Sequence, residues 1–129
     1  MKSLELRTEL INTNLYLLYW TFEDQAFIKL ECPYNNLFDQ NFLIGPDQAE
    51  QIRLGLQEKE HVVTEVVLEK TDGNWFTVQI IPEEPLMVCF GHLGEPNLRL
   101  TGDKQEAIQL IDDICQFYTK ADSKAGAIS

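Results

Sequence analysis

Residues 62–90 read VVTEVVLEKTDGNWFTVQIIPEEPLMVCF, and this stretch decides the fold. Val62 to Lys70 is strongly β-branched, which favours a pleated, half-buried strand. Thr71-Asp72-Gly73-Asn74 carries an Asp-Gly hairpin signature. Trp75 to Ile81 then pairs back. On this second strand Phe76, Val78 and Ile80 share one face, and Trp75, Thr77, Gln79 and Ile81 share the other. Pro82-Glu83-Glu84-Pro85 makes a rigid turn, and Leu86 to Phe90 forms a third strand. Three strands in series with short turns between them predict an antiparallel sheet.

Working upstream, Leu15 to Phe22 and Ala26 to Cys32 flank Glu23-Asp24-Gln25 and read as another hairpin, ended by Pro33. Residues 4–11 alternate apolar and polar at first, a strand with a short amphipathic helix as the alternative. Asn41 to Ile44 suits a short strand. Gly45-Pro46-Asp47 then opens a helix, because proline fits the first helical position and aspartate complements the dipole. Ala49, Ile52 and Leu56 give that helix one apolar face to about residue 58, although Gly55 weakens it.

Downstream, Asn97 to Leu100 adds a short strand after the loop Gly91 to Pro96. Asp103 caps a final helix, and Glu106 completes a capping box. Ala107, Leu110, Ile111, Ile114 and Tyr118 form its apolar stripe to about Thr119. Residues 120–129 lack periodicity and read as a flexible tail beyond a single domain spanning 1–119. Asn41 to Ile52 echoes Asn97 to Ile108, with Asn, Asp, Glu and Ile in register, but two strand-to-helix junctions under the same capping rules produce such a likeness without duplication. The expected fold is α+β: a mainly antiparallel sheet of five to seven strands with two helices packed on one face.

The 129 residues are 44% apolar, enough for one real core. No apolar run approaches a membrane span, and Glu5 and Glu9 interrupt any secretory leader. A cytoplasmic protein, bacterial or viral in style, is expected. The three cysteines, Cys32, Cys89 and Cys115, have no CxxC spacing and sit among apolar neighbours, so they read as core residues. The net charge is −11, and residues 31–100 supply −8 of it. That field repels nucleic acid and anionic membranes and favours a basic partner.

Catalytic chemistry finds little footing. The serines are Ser3, Ser123 and Ser129, all near the ends. His61 and His92 form no metal-ligand spacing with cysteine or acid. Cys89 lies three residues from His92, but in an apolar strand that disfavours a thiolate. Glu83-Glu84 and Asp112-Asp113 read as solvated acids, and Gly91 to Gly94 matches no phosphate-binding loop. No catalytic residue, cofactor or metal is expected, and the chain is read as a non-enzyme. Tyr16, Tyr19, Trp20, Phe22, Phe27, Tyr34 and Phe38 crowd one region, more aromatic surface than a single sheet hides.

These features point to an acidic protein-binding module, most concretely an immunity or antitoxin-type inhibitor of a basic bacterial toxin such as a nuclease. Its expected partner-binding residues are Asp39, Glu83, Glu84, Glu95 and Tyr34. The alternatives are a small-ligand binder or small enzyme with a pocket near His92, Cys89 and Glu95, and a homodimeric adaptor or subunit.

Overall fold

The computed structural model describes residues 2–7, 14–31, 40–59, 61–92 and 95–128. In chain order the elements are β1 (Lys2–Arg7), β2 (Asn14–Phe22), β3 (Gln25–Glu31), β4 (Gln40–Ile44), α1 (Pro46–Leu56), β5 (Thr64–Lys70), β6 (Trp75–Ile81), β7 (Leu86–His92), β8 (Glu95–Gly102) and α2 (Lys104–Ile128). The eight strands form a closed antiparallel barrel in sequence order.

This corrects the sequence expectation of an open sheet with five to seven strands and the helices on one face. Every doubtful segment is a strand, and the outer strands find each other. The β4–β5 seam pairs Phe42 with Lys70 and Leu43 with Glu69. The β1–β8 seam pairs Leu6 with Gly102 and Arg7 with Thr101. Closure removes the exposed edges that an open sheet presents. It also weakens the idea of a dimer formed by edge-strand pairing.

The chain is a ββββα unit written twice, and the echo between Asn41–Ile52 and Asn97–Ile108 falls on its two strand-to-helix junctions. Ile44 and Leu100 occupy equivalent places, and both are buried. Past that point β8 is longer by Thr101 and Gly102, the two residues that close the barrel on β1. Gly102 is required there: a Cβ on it would lie 2.7 Å from the Leu6 Cδ2 and 3.2 Å from the Glu5 carbonyl oxygen.

Inward-facing residues alternate along each strand, for example Leu4 and Leu6, Ile28 and Leu30, Val66 and Leu68, Val78 and Ile80. Charged side chains such as Glu5, Arg7, Lys29 and Glu65 take the other face, the reverse of a lipid-facing barrel. Phe42 stands at the centre, edge-on to Phe76 at 5.6 Å and stacked on Phe90 at 5.8 Å. The Lys70 ammonium lies 5.1 Å from the Phe76 ring centroid, a cation–π contact.

Both helices follow strands that run to the same end of the barrel. They pack on each other and send their apolar faces into the strand core. Pro46 begins α1 as the sequence indicates, with Asp47 in the first turn. Gly55 lets α1 approach β5, since a Cβ there would lie 2.7 Å from the Thr64 Cβ. Asp103 caps α2, its Oδ1 accepting from the amides of Gln105 at 2.8 Å and Glu106 at 3.4 Å. The helix continues to Ile128, through most of the stretch that lacks periodicity. Among the described residues no helix is long and apolar enough to cross a membrane.

Candidate partner-binding surface

Strand pairing places five outward side chains side by side across five strands. Trp20 on β2 opposes Phe27 on β3, which opposes Leu43 on β4. Leu43 opposes Glu69 on β5 across the seam, and Glu69 opposes Trp75 on β6. Adjacent strands are spaced about 4.8 Å apart, so the row spans roughly 19 Å of outer wall. Trp20 and Phe27 stack with centroids 5.7 Å apart and planes 17° from parallel. Trp75 is 46% exposed, and Val67, one outward position away on β5, is 45% exposed. Trp20, Phe27 and Leu43 are half-buried.

Acidic groups adjoin the row. Glu69 stands within it, and the exposed Asp72 lies in the turn that leads to Trp75. Asp72 accepts from the Asn74 amide at 3.0 Å, and that hydrogen bond, with Lys70 3.3 Å away, holds its carboxyl below the usual range. Glu65 accepts from the Gln79 side chain at 3.3 Å on the same wall. Lys29 is the basic group on β3, and it pairs with Glu31 at 3.7 Å.

Of the residues expected from the sequence to bind a partner, Glu83 and Glu84 lie at one end of the barrel and Glu95 at the other. Glu83 and Glu84 lie in the β6–β7 turn, at the end of the barrel where the helices sit. Glu83 faces the His61 Nδ1 at 3.5 Å, and Glu84 is exposed. Glu95 begins β8, paired with His92 at the opposite end of β7. A seven-residue strand separates the two places by roughly 20 Å. Asp39 and Tyr34 lie outside the described residues, as does the Glu95 side chain. Tyr19, one of the crowded aromatics, packs against the core; burial, then Asp113 and Tyr118, raise its hydroxyl pKa.

Nothing catalytic gathers among the described residues. Cys89 is buried, and desolvation pushes its thiol up despite nearby Arg99. Desolvation also pushes up Cys115 on α2. No group of three His, Cys, Asp or Glu is placed to hold a metal among the described residues. The His92 side chain lies outside them, and an internal cavity is lined, among the described residues, by apolar side chains that do not include Cys89.

The outer row was hidden in the sequence because its members come from five strands. The hairpins told which residues share a face, but Leu43 meets Glu69 only through closure of the barrel. Fold and surface together define a class: an acidic, closed antiparallel barrel with one mouth capped by helices and an aromatic row on its outer wall. No protein family, curated protein or solved structure matches the chain.

Proposed function

We propose that this chain is an acidic protein-binding module of the cytoplasm that engages a basic protein through the row Trp20, Phe27, Leu43, Glu69 and Trp75. The observation that carries this reading is the row itself: aromatic surface left on the outside of a barrel whose core is built from its own strands and helices. Half-exposed tryptophans beside carboxylates suit arginine and lysine side chains, which stack on aromatic faces while pairing with acids. The net charge of −11 steers a cationic partner inward and repels a second copy of the chain. In its most specific form the partner is the basic domain of a bacterial toxin, such as a nuclease, and the chain is its immunity-type inhibitor.

The test is calorimetric titration of the chain with a peptide of alternating arginine and leucine, against one of alternating glutamate and leucine. The arginine peptide binds, and its affinity falls as salt is raised; the glutamate peptide does not. Equal binding of both, or a salt-independent affinity, removes the reading. The toxin-inhibitor form further requires that an equimolar amount of the chain silence its basic nuclease target.

A further inference from the structure

Beneath the two helices lies a cavity of about 70 Å³, walled by side chains of the barrel strands and both helices. Every lining residue among those described is aliphatic or phenylalanine, including Leu56, Val78, Ala107, Leu110 and Ile111. Protein interiors seldom leave space larger than a water molecule. Water gains nothing here, because a buried water needs two to four polar partners. Two contacts tie α2 to the barrel. Near its start Lys104 donates to the Pro82 carbonyl at 3.4 Å. Farther along, the Tyr118 hydroxyl is bound to β3 and β4. Ala107 presents the smallest lining side chain, at the start of the α2 stripe. Three lining residues, Leu17, Ile52 and Val88, are only partly buried.

We infer that this cavity is a binding site for a small uncharged apolar ligand, a short alkyl group of a few carbons or an atom such as xenon. An apolar cavity of about 150 Å³ takes a benzene ring; this one holds roughly half that volume and selects smaller guests. The inference is separate from partner binding on the outer wall.

The experiment is methyl NMR of the full chain under xenon pressure, followed by benzene at saturation. Xenon should produce saturable shifts confined to methyls such as those of Leu56, Val78 and Ile111, and benzene should produce none. Ala107→Leu fills the space and should weaken xenon binding at least tenfold; Val78→Ile, a smaller filling, serves if the first variant fails to fold. Absence of saturable shifts overturns the inference, as do shifts spread over surface methyls. Benzene binding as well as xenon, or undiminished binding in the folded filled variant, also overturns it.

Discussion

Ala26 on β3 and Ile44 on β4 face each other at the end of their ladder, and the Tyr118 hydroxyl bridges them. The Ala26 amide donates to the Tyr118 oxygen at 3.0 Å, and that hydroxyl donates to the Ile44 carbonyl. One side chain of α2 thus ties the helix to β3 and β4, at the point where β4 turns into α1. Tyr118→Phe leaves a part-buried amide and carbonyl without this partner. It should cost about 1–3 kcal/mol in urea denaturation, with the barrel's far-ultraviolet dichroism unchanged.

Alkaline pH should unfold the chain earlier than acid-base inertness would allow. Desolvation raises the pKa of Cys89 and Cys115 above 9.0, and of Tyr118 and Tyr19 above 10.0. For each group the fold prefers the protonated form. Its stabilisation is therefore complete below the ordinary pKa and is lost as pH rises through the raised one. The urea midpoint should be insensitive to these groups near neutrality and decline above about pH 9. Removing both thiols by Cys89→Ala and Cys115→Ala should move the start of that decline toward the tyrosine range.

The β2–β3 turn is made by Glu23 and Asp24, at φ 47° and 63°. A two-residue hairpin loop with both residues left-handed is the type I′ turn, for which Asn-Gly is the preferred sequence. Glu23→Asn with Asp24→Gly should relieve the strain and raise stability by about 1 kcal/mol. Thermal denaturation reads this directly; a fall in melting temperature would mean that the acids themselves hold the turn.

Gly55 presents a contest between helix propensity and space. Alanine in its place gains about 1 kcal/mol of helix propensity. Its Cβ, however, would lie 2.7 Å from the Cβ of Thr64 and 2.8 Å from its Oγ1. Those atoms are fixed close to the backbone, and overpacking of this kind costs about 1–3 kcal/mol. Gly55→Ala should therefore destabilise, seen as a lower urea midpoint.

Local chemistry made much of the fold legible. The Asp72 turn, Pro46 at the start of α1 and the Asp103 cap all stand where their residue types suggested. The inward set Phe76, Val78 and Ile80 follows from period-two alternation. Closure was not legible, because each seam rests on two residue pairs joining distant parts of the chain. Those contacts leave no periodic trace. The echo between the two strand-to-helix junctions was the one visible sign of the repeated unit, and capping chemistry explained it equally well. The outer row stayed hidden for the same reason as the seam it crosses. Acid content pointed to a cationic partner, whereas the positions chosen from it, Glu83, Glu84 and Glu95, lie at two ends of β7.

The aromatic row is tested most directly by titrating the arginine–leucine peptide into Trp20→Ala/Trp75→Ala, with Glu83→Lys/Glu84→Lys alongside. Losing the two tryptophans that end the row should weaken binding at least tenfold, through faster dissociation. Reversing the two distant acids should mainly slow association. An unchanged affinity in the folded tryptophan variant would show that the outer wall is not where this protein meets its partner.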